Sequence, residues 1–181
     1  FKAEQASFLA AIAGCQYLEE KWADMYSQVG DGQLRVGMFG GTPIPTVTCF
    51  MGGFELGVWF YNNYILTHTS FWDGDTAKEQ EQRTVQIIDN GAKSSWFSGT
   101  FSVGDARLVS QELLAKGANL ILTVSSPQAI DTVSEIYTQK STCKVIGVDV
   151  AQEDSDIGGY VSQSKFEKGK NEKIILCSAE K

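Results

Sequence analysis

The chain has 181 residues, of which 43% are hydrophobic and 20% are charged, and its net charge is −7. These values are typical of a globular domain that is long enough to bury a core. An acidic chain lacks the electrostatic footprint for nucleic acid or for an anionic membrane surface, so neither is expected as a partner.

The chain ends and the hydrophobic runs bear on whether the chain is truncated and whether it contains a membrane segment. The chain starts within a helical pattern and ends directly after a strand pattern, which predicts a piece of a longer protein. No stretch has the length and hydrophobicity of a transmembrane helix or the pattern of a signal peptide.

Cysteine and histidine usage offers little for metal or nucleophilic chemistry. The four cysteines, at positions 15, 49, 143 and 177, form no C-x-x-C pair, and each lies in an apolar run. They are predicted to be buried small hydrophobic residues outside any disulfide framework. The only histidine, His68, has threonine on both sides, which predicts a strand residue instead of a catalytic group. No metal or cofactor is expected.

In chain order, the predicted elements begin with a helix over residues 3 to 26, and its small residues at positions 10, 11, 13 and 14 allow a helix or a sheet to approach closely. Strand and helix patterns then alternate. Strands are predicted at residues 34–39, 96–101, 119–124, 144–149 and 173–178. Helices are predicted at residues 45–60 and 104–116, and a further one starts with residues 125–127. This alternation predicts an α/β fold with a doubly wound, mostly parallel sheet covered on both faces.

Residues 64 to 93 interrupt the alternation. One strand candidate at residues 65–70 and another at residues 84–88 flank a charged stretch, and together they predict an inserted β-hairpin at the edge of the lobe. Trp72, inside this insert, is predicted to be exposed or to face a partner.

The residues that follow the predicted strands are candidates for ligand contact, because ligands of a doubly wound sheet bind beyond the carboxyl ends of its strands. They supply one aromatic ring, two carboxylates, one amine, hydroxyl groups and an amide. This set suits a polar, ring-containing small molecule, but it lacks an activated nucleophile or a general base. A dinucleotide site is not supported, because G-x-G-x-x-G is absent and Pro43 lacks the N–H that a pyrophosphate needs.

Seven sequence runs occur in an order that is recognisable. They are ASFLAAIA at 6–13, VGMFGG at 36–41, GGFELG at 52–57, FSGTF at 97–101, LAKGAN at 114–119, VIGVD at 145–149 and SAEK at 178–181. In this series the chain resembles the basic membrane protein family of substrate-binding lipoproteins, the purine-nucleoside receptors of bacterial ABC transporters, and in particular the mycoplasma branch.

The resemblance implies a periplasmic-binding-protein type I-like fold, in which two α/β lobes close on a ligand. Residues 1–33 then form the helical end of the first lobe, residues 34–150 the second lobe with the insert at 64–93, and residues 151–181 the return crossing and final strand. The implied function is non-enzymatic: capture of a nucleoside and delivery to an ABC transporter permease. The protein would be lipid-anchored at the extracellular face of the cell membrane, with signal and anchor outside this chain.

The resemblance also assigns roles to individual residues. Phe101 matches the aromatic residue that stacks on the base, Asp149 matches the carboxylate that accepts two ribose hydroxyl protons, and Lys181 matches a lysine that contacts the ligand. Ser126 stands where the family usually has a glycine whose backbone faces the ligand. Gln128 is placed to contact a base edge.

Two further function classes stay open. A surface lipoprotein that binds host molecules, or acts mainly as an antigen, is motivated by the insert at residues 64–93 with its Trp72. A nucleotide-using enzyme would need catalytic groups for which the sequence offers no good candidate.

Overall fold

The computed structural model describes residues 2–21, 32–68, 83–89 and 96–149, and the backbone of residues 174–176. Helices and strands alternate along most of this chain, and five strands form one sheet. The elements are α1 (Ala3–Glu20), β1 (Arg35–Gly40), α2 (Pro45–Phe60), β2 (Gln86–Ile87), α3 (Arg107–Ala115), β3 (Leu120–Val124), α4 (Ala129–Thr138), β4 (Lys144–Gly147) and β5 (Ile174–Leu176).

The strand order is β2-β1-β3-β4-β5, and every neighbouring pair is parallel. The chain leaves β1 towards one side to form β2 and then crosses to the other side of β1 to form β3. Along β3, Leu120 and Leu122 join a hydrophobic cluster with α1 and α2, whereas Ile121 joins a cluster with α3 and α4. The predicted doubly wound parallel sheet with helices on both faces is confirmed.

Small residues bring α1 and α2 close to each other and to the sheet. A Cβ added at Gly53 of α2 would overlap the carbonyl oxygen of Glu4, and one added at Gly14 of α1 would lie 2.5 Å from a methyl carbon of Leu120. The predicted close approach of another helix and of the sheet to α1 is thus confirmed. The resemblance assigns α1 to the first lobe, yet α1 shares its core with β1, β3 and α2. The domain boundary at residue 33 stays a prediction.

The opposite face of the sheet is held partly by polar contacts between α3 and α4. The hydroxyls of Ser110 and Thr132, both fully buried, lie 2.9 Å apart and share a hydrogen bond. The next residue of α3, Gln111, donates from its side-chain amide to the carboxylate of Glu135 on α4 over 3.1 Å. Since buried hydroxyls need partners, these pairs fix how the two helices face each other.

The structure describes parts of both segments that were predicted as strands of an inserted hairpin, and they do not form a hairpin. After α2 the helix continues through a π-helical turn (Tyr61–Ile65) into an α-helical segment (Leu66–His68), so His68 is helical and not a strand residue. The second predicted strand exists as β2, but it pairs in parallel with β1. A short apolar run fits helix and strand periods alike, which explains the error. Residues 69–82, with Trp72, lie outside the described residues.

A side-chain amide joins the π-helical turn to β2. The amide nitrogen of Asn62 donates to the carbonyl oxygen of Val85 over 2.8 Å, and the Asn62 oxygen accepts from the Val85 N–H over 3.0 Å. The Asn62 side chain therefore satisfies both the backbone N–H and the backbone carbonyl of Val85.

The predicted strand over residues 96–101 is also wrong, because only Phe97 makes a β-bridge, to Gly40. The backbone turns away at Gly99, whose φ is +90°, a value that glycine adopts readily. Phe101 consequently lies in an exposed bend instead of at the end of a strand.

The cysteines follow the prediction at two of the three positions that the structure describes. Cys15 and Cys143 are buried, whereas Cys49 is exposed, and all three are free thiols. Burial raises the pKa of the Cys15 thiol to about 12 and raises that of Cys143 as well. Neither buried thiol is ionised near neutral pH, so neither is a nucleophile. Cys177 lies outside the described residues.

Candidate ligand-binding site

The carboxyl ends of β1, β3 and β4 form the edge at which a ligand site is expected. At the end of β1, Gly40 is paired with Val124 of β3 on one side and with Phe97 on the other. The direction of winding reverses between β1 and β3, so the topological switch point of the sheet lies here.

Phe101 presents an aromatic ring at this edge. The residue is 40% exposed, which is high for phenylalanine. A Cβ added at Gly41 would overlap the ring of Phe101, so glycine at this position lets the ring lie directly against the backbone that follows β1. The bend that carries the ring is bounded by Gly99 and Gly104, both with positive φ. The ring therefore lies on the site edge with part of its surface open to solvent.

Asp149 and Ser126 form a polar pair at the ends of β4 and β3. The Ser126 hydroxyl donates either to the Val148 carbonyl oxygen, 3.1 Å away, or to the Asp149 carboxylate. Asp149 is exposed and has a φ of +73°, a left-handed conformation that aspartate tolerates better than most residues. A carboxylate has about four acceptor positions, so Asp149 retains capacity for hydroxyl donors from a ligand.

Gln128 has a different environment from the one that contact with a base edge requires. It is completely buried, and both ends of its amide are engaged within the protein. Its oxygen accepts from the Ser98 hydroxyl over 2.8 Å, and its nitrogen donates to the Ser102 carbonyl oxygen over 2.9 Å. In this structure Gln128 cannot contact a base edge directly, and instead it supports the bend on both sides of Phe101.

The residues predicted for the site are thus only partly brought together. Ser126 contacts Asp149, and Gln128 holds the bend of Phe101, while Lys181 lies outside the described residues. The structure therefore contains an aromatic part and a carboxylate part, and both belong to the carboxyl edge of one sheet.

Two further buried residues lie near the site: Asp131, which was missed as a site residue from the sequence, and Ser125, which follows a predicted strand. The Asp131 carboxylate, on the first turn of α4, accepts from the backbone N–H groups of Gly104 and Ala106. An acidic residue in a first helical turn normally suggests only a favourable interaction with the helix dipole. The hydrogen bonds of Asp131 to the loop before α3 therefore could not be inferred from the neighbouring sequence. Ser125 is also buried, and its hydroxyl has no hydrogen-bond partner among the described residues.

Two groups at this edge can contact a ligand, the Phe101 ring and the Asp149 carboxylate. Within the residues that the structure describes, no group of three or more His, Cys, Asp or Glu side chains is arranged to hold a metal ion. A half-exposed ring offers a stacking face, and the Asp149 carboxylate offers acceptors for hydroxyl groups. Such a pair fits a ligand that has both a flat ring and a polyhydroxyl part.

A second concave region lies between α1 and α2. Its volume is about 570 Å³, and it is lined mainly by apolar groups, including Phe8, Leu9, Cys49 and Leu56. It contains no strand end, so it is separate from the carboxyl edge.

Among the described helices, none has both the length and the hydrophobicity to cross a membrane.

Two lipoproteins of mycoplasmas are similar to this chain in sequence. An uncharacterized lipoprotein of Mycoplasma pneumoniae is 29% identical over 219 aligned positions, and one of Mycoplasma genitalium is 28% identical over 215. The alignments cover 99% of this chain but only 33% and 36% of those proteins, so the chain spans about a third of their length. No family model matches the chain.

The fold is shared with a solved solute-binding protein. The structure of a solute-binding protein of an ABC transporter system from Aeropyrum pernix matches with a TM-score of 0.56 and 16% sequence identity. The match covers 98% of this chain and 46% of that one. At this identity the likeness shows the fold, and it agrees with the predicted periplasmic-binding-protein-like lobe.

Proposed function

We propose that this chain belongs to the solute-binding component of an ABC-type uptake system and binds a purine nucleoside, or a similar ring-plus-hydroxyl molecule, without catalysis. The observation that carries the proposal is the combination of Phe101 and Asp149 at one edge of the sheet, an exposed ring and an exposed carboxylate. The solute-binding fold of the Aeropyrum pernix protein supports the class of function. The sequence resemblance to the basic membrane protein family supports the nucleoside.

The proposal includes a location and a second lobe. The two similar mycoplasma proteins are lipoproteins, which supports a lipid-anchored protein at the extracellular face of the membrane that passes its solute to a permease. The matched solute-binding protein is about twice as long as the aligned region, which supports closure of a second lobe over the ligand. Because this chain would supply one side of the pocket, we expect its affinity to be weak. Lys181 remains a proposed ligand contact.

Calorimetric titration of the 181-residue chain with adenosine, guanosine, cytidine, uridine, adenine and ribose tests the proposal. Purine nucleosides are expected to bind more tightly than either adenine or ribose alone. Replacing Phe101 by alanine should weaken binding about 5- to 150-fold, because stacking of a base contributes roughly 1–3 kcal/mol. If none of the six compounds binds, the nucleoside proposal is wrong for this chain.

The carboxylate has its own test in Asp149→Asn. Asparagine also tolerates a left-handed backbone, so this change removes the charge and leaves the conformation. Hydrogen bonds to a charged group contribute about 1.5–3 kcal/mol, so nucleosides and ribose should bind at least tenfold more weakly while adenine is unaffected. Glu112→Gln, which removes an exposed carboxylate on α3, is the matched control and should change nothing.

A second candidate, a lipoprotein that binds host molecules, is favoured by one surface. Leu9, Leu56 and Trp59 on α1 and α2 are each more than half exposed, and Leu9 and Leu56 line the apolar cavity. Exposed apolar patches mark interaction sites in many soluble proteins. The double variant Leu9→Ser, Leu56→Ser should lose attachment to host cells in flow cytometry while nucleoside titrations stay unchanged. Equal attachment of variant and wild type would remove this candidate.

A further inference from the structure

The loop that carries Phe101 (residues 98–106, the Phe101 loop) is held by two buried side chains, Gln128 at the end of the 3₁₀ turn before α4 and Asp131 in the first turn of α4. Gln128 accepts a hydrogen bond from the Ser98 hydroxyl and donates one to the Ser102 carbonyl oxygen. The two partners lie three residues before and one residue after Phe101. Because the Gln128 side chain is completely buried, it has little freedom to follow a movement of the loop.

Asp131 holds the second half of the same loop. Its two carboxylate oxygens lie 2.9 and 2.8 Å from the N–H of Gly104, and one of them also accepts from the N–H of Ala106 over 3.2 Å. Asp131 is 2% exposed. Hydrogen bonds between a carboxylate and backbone N–H groups are among the stronger ones in proteins, so this end of the loop is fixed where α3 begins.

The segment that contains Gln128 and Asp131 also contacts the carboxylate part of the site. Ser126 lies two residues before Gln128, and its hydroxyl donates to the Val148 carbonyl oxygen or to the Asp149 carboxylate. The α4 entry turn (residues 126–131) is therefore bonded to both parts of the site. A 3₁₀ turn that runs directly into α4 gives this stretch a defined geometry.

We propose that the α4 entry turn sets the spacing between the Phe101 ring and the Asp149 carboxylate, and that Gln128 and Asp131 are positioning residues for ligand selection. The inference rests on the proposed nucleoside-binding function. A ligand that joins a base to a sugar needs the ring and the carboxylate at one fixed separation. Release of the Phe101 loop should therefore reduce binding of the joined ligand more than binding of either part.

The decisive variant is Gln128→Met, which keeps the side-chain length and removes both hydrogen bonds. The Ser98 hydroxyl retains the Thr100 carbonyl oxygen, 2.9 Å away, as an acceptor, and Ser102 is exposed to water, so folding should be preserved. Adenosine should bind roughly tenfold more weakly to this variant, with adenine and ribose changed less than about twofold. Asp131→Asn should act in the same direction, and hydrogen exchange at Gly104 and Ala106 should become faster.

Two comparisons separate positioning from a general loss of structure. In the Phe101→Ala background, Gln128→Met should cause no further loss of adenosine affinity, because the group that it positions is gone. Thr132→Val, a buried change on α4 that removes a hydrogen bond to Ser110 of α3, should alter affinity less than about twofold.

The outcomes distinguish the inference from the function on which it rests. If wild type binds adenosine and Phe101→Ala weakens it, but Gln128→Met does not, the positioning role is overturned and the proposed function stands. An equal loss from Gln128→Met with and without Phe101 also overturns the positioning role. If wild type binds none of the six compounds, the proposed function and the positioning role fall together.

Discussion

The two faces of the sheet hold their helices by different means. On one face, here called the glycine face, α1 and α2 lie close to each other at Gly53, and α1 lies close to Leu120 of β3 at Gly14. A side chain at Gly53 would overlap the backbone of α1, and one at Gly14 would overlap an apolar side chain of the sheet. On the other face α3 and α4 are joined by hydrogen bonds between buried side chains, as between Ser110 and Thr132. Close packing tolerates little change in volume, whereas hydrogen-bonded pairs tolerate little change in polarity. The face that carries Gln128 and Asp131 is thus the one whose geometry depends on polar groups.

The largest expected effect comes from adding volume on the glycine face. Gly53→Ala would place a methyl group onto the Glu4 carbonyl oxygen and the Ser7 hydroxyl, so α1 must move. Overpacking of this kind costs about 1–3 kcal/mol, and here backbone blocks relaxation, so we expect a loss of about 3 kcal/mol in urea denaturation.

Gly52 provides the matched control, because an added Cβ there meets nothing within 4 Å. Gly52→Ala should raise the free energy of unfolding by about 0.5–1 kcal/mol, since alanine favours the helix. Equal stability of the two variants would contradict the role assigned to close approach on this face.

The next effect concerns polarity on the other face. Thr132→Val keeps the shape of the side chain but leaves the Ser110 hydroxyl buried without its partner. We expect a loss of about 1–3 kcal/mol, measured by urea denaturation. Combining it with Ser110→Ala should restore part of that stability, because both hydroxyls are then absent. A double variant whose loss equals the sum of the single losses would argue against coupling between the pair.

The smallest effect is a pH dependence at the edge of the glycine face. Partial desolvation raises the pKa of Glu55 on α2 above its ordinary 4.5, so the folded state holds this proton more tightly than the unfolded state. The resulting stability is present below the unfolded pKa and is lost as pH rises through the folded pKa. Glu55→Gln should therefore gain stability relative to wild type as pH rises from 4 to 7. The gain should be small because the group is exposed. A difference that stays constant across this range would exclude the effect.

The sequence predicted most of the glycine face correctly, because its signals are local. Apolar positions such as Val47, Phe50 and Phe54 recur at helical spacing on α2 and are buried, as expected. The strands of the central sheet are short apolar runs bounded by turns, and their positions were also predictable. Local patterns of this kind determine which elements form and which side of each is buried.

The candidate site was predictable only in part, because its contacts join residues distant in sequence. Phe101 and Asp149 could be proposed from their positions after strand patterns and from the family resemblance. The role of Gln128 could not, since its partner Ser98 lies 30 positions away and amide burial has no sequence signature. The helical course through His68 was missed because a short apolar run fits helix and strand periods alike. The contact of Asn62 with Val85, 23 positions away, likewise has no local signal in the sequence. Contacts of this range become visible only once the chain is folded.

The pairing of Asn62 with Val85 has a consequence for the outer edge of the sheet. The N–H of Gln86 donates to Leu34, just before β1, and that of Ile88 donates to Val36 of β1. The backbone N–H and carbonyl of Val85 therefore point away from β1, and the Asn62 amide bonds to both. Free peptide groups along an edge strand are templates on which a strand of another molecule can add, the first step of β-sheet aggregation. By filling this position with a side chain of its own, the protein protects the start of β2 against such growth.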